Sequence, residues 1–428
     1  MAEIKAFKGM RYTEKAGGIG SLCCPPYDII SGAMSKTYLD MNPYNVIKIE
    51  LPTCLPDTAE PYAAAGKLVR EWLAGGILQN DDTDCIYVYQ MDFTALGEKK
   101  SVTGFICLVK LEEFSKGVVL PHEETLSKAK TDRFNLMQAT DCNFSQIYSL
   151  FKDNGASLEI LAEITQTPPT SAFTDDGNVT HKLWAVSDTG FIGKIVELLS
   201  DKKIYIADGH HRYETALNYR NAQTADALES GTGAYVPMML VNMENPGLVV
   251  FPTHRIVRDL PNYEQGAILE KCAEYFDVTP NLSREQSSAM LDEAYNKGDK
   301  AFALYTGGGE YTVLKLKDIG VMREFMAGAS EDLRNLDVSV LHTLILERVF
   351  GIDKENMANQ INLTYTRVFD EAISAVDSGK ANCSFLLNST RVSEISGVAA
   401  AGEKMPQKST YFYPKLTTGL VMNQIIDN

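Results

Sequence analysis

The stretch KIYIADGHHRYETALNY, Lys203 to Tyr219, decides how this chain is read. Lys203 to Ala207 mixes β-branched and aromatic residues as a short strand does, Asp208-Gly209 marks a turn, and Tyr213 to Tyr219 starts a helix. The polar cluster Asp208, His210, His211 and Arg212 therefore falls where a strand hands over to a helix. The first turn of a helix carries unpaired backbone N–H groups and the positive end of the macrodipole, so a site there suits an anion such as phosphate. Arg212 adds a planar fork for phosphate oxygens, and either histidine can donate a hydrogen bond or move a proton. Gly209 lets the backbone turn and approach a ligand. An Asp-Gly turn before a basic residue is often only a turn. Here two of only six histidines fall in one five-residue polar run between apolar segments, which argues for function.

A second polar cluster, LPHEETLSKAKTDR, spans Leu120 to Arg133. Pro121 opens a loop, and Lys130 to Thr140 can form a helix capped by Thr131 or Asp132. His122, Glu123, Lys128, Lys130 and Arg133 supply acid, base and cation within fourteen residues. Such density fits a loop closing over a nucleotide, its cations offsetting phosphate charge, although a solvated charged loop looks similar.

Upstream, CCPPYDII (Cys23 to Ile30) is held extended by its two prolines, and AGGIG (Ala16 to Gly20) lacks the lysine and hydroxyl of a P-loop. NPYNVIKIELP (Asn42 to Pro52) contains the alternating run Val46 to Leu51, expected as a strand with Glu50 near its end. Glu60 to Leu73 is expected as a helix, and Cys85 to Phe93 with Val102 to Leu111 as a hairpin. Asn143 to Phe151 and Val179 to Val186 are expected as strands, Thr165 to Asn178 as a surface loop and Thr189 to Leu199 as a helix.

Downstream, Tyr235 to Asn242 is apolar throughout and reads as a buried strand. VVFPTHRIV, Val249 to Val257, places His254 and Arg255 after another strand, where they can join the same phosphate site if neighbouring parallel strands end on one edge. Ala301 to Tyr305 and Tyr311 to Leu316 form a hairpin about three glycines, and Val338 to Phe350 is expected as a helix with His342 in its core. In MPQKSTYFYPKL, Met405 to Leu416, the aromatics need burial, so Lys408 and Ser409 either face the site or fasten the C-terminus.

The alternation of strand and helix predicts an α/β fold with a mixed sheet, the antiparallel share coming from hairpins. At 428 residues two or three domains are expected, divided near 258/259 into a catalytic or nucleotide-binding region, 1–258, and a C-terminal α+β region, 259–428. The tail 405–416 is expected to return to the site. The net charge of −16 argues against nucleic acid as partner. Eight scattered cysteines without a C-x-x-C pair suit buried thiols in a reducing cytosol rather than a zinc site. With no signal-peptide core and no spanning apolar run, a cytoplasmic protein without a membrane partner is expected. The oligomeric state is left open.

Asp-Gly-His-His-Arg after an apolar strand resembles the signature of the ParB/sulfiredoxin-like superfamily, most closely its free L-serine kinase branch. The chain as a whole is similar to a bacterial and archaeal family designated only as a domain of unknown function, DUF1015. The matching segments are CCPPYDII, NPYNVIKIELP, LPHEETLSKAKTDR, ADGHHRYETAL (Ala207 to Leu217), LDVSVLH (Leu336 to His342) and MPQKSTYFYPKL. The resemblance implies a ParB/sulfiredoxin-like nucleotide-binding core and a small-molecule kinase using ATP or ADP with Mg²⁺, its acceptor a hydroxyl compound such as free L-serine. By order along the chain it gives Glu50 the role of base, with Glu123 as the other candidate. Asp208 would orient a metal or the substrate, and Gly209, His210, His211 and Arg212 would contact phosphate. The alternative is a nucleotide-binding and hydrolysing switch without phosphotransfer. Sulfiredoxin-like thiol chemistry is disfavoured because His210 stands where that branch has cysteine. A metallohydrolase on His122, His210, His211 and Asp208 is weaker, since adjacent histidines rarely face one metal.

Overall fold

A run as apolar as Tyr235–Asn242 must be covered on both faces, and it lies inside a mixed sheet. The computed structural model describes residues 1–426 apart from 57, 126, 226, 227, 229, 230 and 262, and without the side chains of 127–129. Among the described residues this sheet has nine strands. From one edge they run Val119–Leu120, Ile204–Asp208, Ile147–Phe151, Tyr235–Asn242, Glu98–Lys110, Ile86–Ala95, Thr180–Val186 and Ser171–Thr174, with Ile4–Lys5 also paired to Glu98–Lys110. Ile204–Asp208 is parallel to Val119–Leu120 and antiparallel to Ile147–Phe151, which in turn is parallel to Tyr235–Asn242. The fold is thus mixed α/β, as the alternation implied.

Helices Ala156–Thr165, Thr189–Leu199 and His210–Ala222 send Leu161, Phe191, Ile195, Tyr213 and Ala216 into one core with the central strands. A second core joins Ile47, Val69, Trp72, Leu136 and Met422. Ser127–Thr140 contributes to both, through Met137 and Leu136 respectively.

The chain groups into two compact units, Met1–Pro121 with Thr125–Val249 and Pro414–Asn428, and His122–Glu124 with Val250–Tyr413. Residues 250–257 therefore group with the second unit. Among the described residues that unit holds a six-stranded sheet in the order Phe276–Leu282, Tyr311–Leu316, Ala301–Tyr305, Cys383–Leu386, His254–Val257 and Leu363–Thr366. Every pairing in it is antiparallel.

Several local expectations are corrected. Val46 to Leu51 is not a strand: Ile47–Glu50 is a short helix, because Asn45 Oδ1 accepts from the Ile47 N–H at 3.0 Å and turns the backbone locally. Ser171–Thr174, expected inside a loop, is a strand paired to Thr180–Val186. The Asp175 side chain closes the hairpin between them by accepting from Gly177 and Val179 N–H, each at 2.9 Å. The expected strand Asn143 to Phe151 is interrupted, leaving Cys142–Asn143 and Ile147–Phe151. Thr131 and Asp132 lie inside a helix that already runs from Ser127 rather than capping it. Beyond Asp337–Val340 the expected α-helix widens into the π-helical turns of Leu341–Glu347.

The C-terminal segment is threaded into the first unit. Thr418 N–H donates to the Cys24 carbonyl at 2.8 Å, Met422 N–H to Met10 at 2.9 Å and Ile425 N–H to Asp141 at 2.7 Å, while Leu416, Leu420, Val421 and Met422 are buried. Met422→Ala should therefore destabilise the protein by about 2–5 kcal/mol, the range for emptying a buried methionine site. Urea unfolding measures it, and a loss below about 0.5 kcal/mol would mean that the tail is not part of the core.

Candidate functional site

The motif is placed as its sequence suggests. Ile204–Asp208 is a strand, Gly209 caps the next helix in the left-handed region at φ 99°, and the helix runs His210–Ala222, three residues earlier than expected. Glycine is needed here twice over: a side chain would be strained at that φ, and a Cβ would lie 2.9 Å from Arg212 Nε. Gly209 brings no capping side chain to the helix N-terminus. His210 is buried and His211 half-buried.

Asp208 is the hub. Its Oδ2 accepts from Arg212 Nη2 at 2.8 Å, and its Oδ1 accepts from Lys415 Nζ. Arg212 Nη1 also donates to the Gln146 carbonyl, which the interruption between Asn143 and Ile147 leaves outside the strand ladder. Burial works to raise the Asp208 carboxyl, but Lys415 and then Arg212 outweigh it and hold the group well below the usual carboxylate range. Two cations against one carboxylate leave this end of the cluster with excess positive charge.

A second group stands beside it. Arg133 donates from Nη1 to the Glu50 carbonyl at 2.7 Å, and from Nε and Nη2 to Asp132 Oδ2 at 2.8 and 2.6 Å. Its Nη1 lies 3.4 Å from Glu50 Oε1, and its guanidinium covers the Tyr27 ring at 4.1 Å. Tyr62 O–H donates to the other Asp132 oxygen at 2.7 Å. Glu50 is 3 % exposed and accepts from Ser145 Oγ at 3.3 Å. Burial pushes the Glu50 carboxyl above its usual value despite the opposing pull of Arg133 and Arg212.

The two groups meet at one small pocket of about 40 Å³ lined by Glu50, Arg133, Ser145, Arg212 and Thr215 among others. It is sized for a water or a hydroxyl group rather than for a nucleotide. Thr215 is 1 % exposed, and its Oγ1 has no hydrogen-bond partner among the described residues. A buried hydroxyl without a partner is costly unless something binds it.

The other candidates fall elsewhere. Lys130 Nζ donates to Glu214 Oε2 at 2.7 Å and Thr125 Oγ1 to the same oxygen at 2.8 Å, which ties this segment to the motif helix. The side chain of Lys128 lies outside the described residues. His122, Glu123, His254, Arg255, Lys408 and Ser409 belong to the second unit. There His122 Nε2 pairs with Thr410 Oγ1 at 3.1 Å, and Glu123 accepts from the Lys408 N–H at 3.0 Å. Ser409 Oγ donates to the Pro406 carbonyl. His254 and Arg255 are buried within a strand, and its neighbours are antiparallel, so the parallel-edge argument for them does not hold.

Sequence reasoning missed Lys415, Ser145 and Thr215. Lys415 sits in a quoted segment, seven residues beyond Lys408, and only the buried register of the tail distinguishes the two. Among the described residues no group of three or more His, Cys, Asp or Glu is arranged to hold a metal.

Fold and site define a mixed α/β protein with a charged strand-to-helix turn as its candidate centre. Residues 4–339 match the model of DUF1015, described as a protein of unknown function, and the chain belongs to that family. No curated protein matches it. Among solved structures, a free serine kinase in complex with AMP is 13 % identical with a TM-score of 0.37, over 70 % of this chain and 85 % of that one. SbnI with a C-terminal truncation from Staphylococcus aureus is 12 % identical with a TM-score of 0.35, over 74 % and 87 %. A conserved hypothetical protein from Pyrococcus furiosus is 14 % identical with a TM-score of 0.36, over 71 % and 90 %. At these values no correspondence of residues follows. Among the described residues no helix is long and apolar enough to cross a membrane.

The state of Glu50 gives a stability test. Its folded value lies above the usual 4.5, so its protonated form favours the folded state. That contribution is complete below about pH 4.5 and is lost as pH rises through the folded value. The stability of Glu50→Gln relative to the parent should thus rise between about pH 5 and about pH 8. Urea midpoints at the two pH values measure it, and equal differences would remove the raised value.

Proposed function

We propose that the protein is a small-molecule kinase on a ParB/sulfiredoxin-like core, passing a phosphoryl group from ATP or ADP to a hydroxyl compound. The observation that carries this reading is that Glu50 and Arg212 line the same small pocket, together with Thr215, whose hydroxyl has no hydrogen-bond partner among the described residues. Its cationic end is Arg212 in the first turn of a helix, whose partner Asp208 also holds Lys415, and this suits phosphate. Its carboxylate end suits the acceptor, because a buried carboxyl with a raised value is a stronger base than one in water. In the transfer, Glu50 accepts the proton of the acceptor hydroxyl, the oxygen attacks the terminal phosphorus, and the bond to the nucleotide's leaving phosphate breaks. Arg212 and the backbone N–H groups after Gly209 would stabilise charge on the phosphoryl oxygens, and Arg133 would orient Glu50. Resemblance of Asp208 to Arg212 to the free-serine kinases supports serine or a similar acceptor.

Asp208 does not fit a metal ligand in this arrangement, since each of its oxygens is engaged by a cation. We assign it instead to positioning Arg212 and Lys415. Mg²⁺ would arrive with the nucleotide. Glu123 is less suited as base, because its carboxylate holds the Lys408 backbone within the second unit.

Phosphorus NMR of the protein with Mg²⁺, ATP or ADP and a pool of amino acids and small alcohols should show a new phosphomonoester. Nucleotide binding with slow hydrolysis but no phosphomonoester would establish the switch instead. Arg212→Ala should weaken nucleotide binding about tenfold or more. Glu50→Gln should retain binding while transfer falls by about 10²–10⁴. Transfer at the parent rate in Glu50→Gln would take the base role away from this residue.

A further inference from the structure

Three of the segments quoted from the sequence carry residues that the proposed kinase site leaves unused. Glu124, Ser339, His342 and Gln407 come from these segments, and all line one pocket of about 210 Å³ within the second unit. That is room for a small molecule rather than a single water.

The polar wall of this pocket is incompletely satisfied. Ser339 is 2 % exposed, and its Oγ has no hydrogen-bond partner among the described residues. His342 stands in the π-helical segment Leu341–Glu347, a geometry that is rare and frequently found at functional sites. Against His342 and Tyr365, which both line the pocket, packs Arg255 at 0 % exposure. Arg255 Nη2 is 3.2 Å from His342 Nε2, its guanidinium stands 5.3 Å from the centre of the Tyr365 ring, and Nη1 donates to the Thr253 carbonyl. Its Nε has no hydrogen-bond partner, and no carboxylate lies within ion-pair distance of it among the described residues. Tyr365 and then Glu123 act on it electrostatically against the effect of burial.

A guanidinium only donates, so His342 Nε2 must accept, and the proton of the neutral ring sits on Nδ1. Arg255 thereby polarises the ring of a histidine that lines the pocket. Burial, and then Arg255 itself, hold both His254 and His342 below the usual histidine value, which favours their neutral rings beside Arg255. A cation buried without a carboxylate is costly, and an anion beside its relay would offset that cost.

We propose that this pocket binds a small oxyanion, a carboxylate or a phosphate, with Ser339 and His342 donating to its oxygens and Arg255 supplying the charge behind His342. The site is separate from the Asp208 to Arg212 turn and does not depend on the kinase reading.

The full chain, labelled at histidine nitrogen, would be titrated with glycolate and, separately, with inorganic phosphate up to about 10 mM. The ring signals of His342 are assigned through their loss in His342→Gln. One or both anions should shift those signals, and the one that does so identifies the oxyanion. Ser339→Ala should weaken the response about tenfold while leaving the unliganded melting temperature within about 2 °C, because a lone unpaired hydroxyl contributes little to the fold. Arg212→Gln should leave the response unchanged. The site is refuted if neither anion moves the His342 signals, if Ser339→Ala binds as the parent does, or if Arg212→Gln abolishes the response.

Discussion

The carboxylate of Asp208 is shared between Arg212 and Lys415, and the candidate centre depends on that sharing. The three groups come from a strand end, the helix that follows it and a segment 207 residues further on. A carboxylate drawn out of water is costly unless it is paired, and pairing it with two cations rather than one turns the cost into a local excess of positive charge. The same carboxylate fixes the fork of Arg212, whose other nitrogen reaches the Gln146 carbonyl. An interruption in a neighbouring strand thus becomes a part of the site. The threading of the tail past Cys24 and Met10 has the same consequence, since it is what holds Lys415 in place.

The charges are asymmetric. Around Asp208 two cations face one carboxylate, whereas around Arg133 two carboxylates, Glu50 and Asp132, face one guanidinium. Arg133 cannot satisfy both equally: it is bidentate to Asp132 and touches Glu50 mainly through the backbone carbonyl. The Glu50 side chain is left with the longer 3.4 Å contact in a buried place, which is why its carboxyl rises while Asp208 falls. Burial and pairing thus push the two carboxyl groups in opposite directions within one cluster.

Much of the fold was legible because it follows local periodicity. Thr189–Leu199, Tyr235–Asn242 and the hairpin of Ala301–Tyr305 with Tyr311–Leu316 fall at the bounds their apolar patterns imply. The failures have local causes that hydrophobicity does not encode. Val46 to Leu51 alternates as a strand does, yet one side-chain bond from Asn45 turns it into a helix and carries Glu50 inward. In the site, Asp208 and Arg212 could be read because they lie four residues apart on one turn. Lys415 could not, because its place depends on a tail register set by distant backbone bonds. Ser145 and Thr215 are short polar residues, and nothing in their immediate sequence separates a buried hydroxyl from an ordinary surface one.

Arg133 and Arg255 show why residue type alone could not assign the cations. Both are buried, and burial lowers the tendency of each to hold its proton. For Arg133, Glu50 and Asp132 reverse that effect and raise it above the ordinary arginine value. For Arg255, Tyr365 and Glu123 do not, and it settles at about 10. A guanidinium compensated by its own protein is a structural fixture, able to orient a neighbouring carboxylate but with little charge left to offer. One that faces a histidine and an aromatic ring keeps its charge at neutral pH with no carboxylate within ion-pair distance among the described residues. The first therefore suits the proposed role of orienting Glu50, and the second the proposed oxyanion, which would bring its own negative charge.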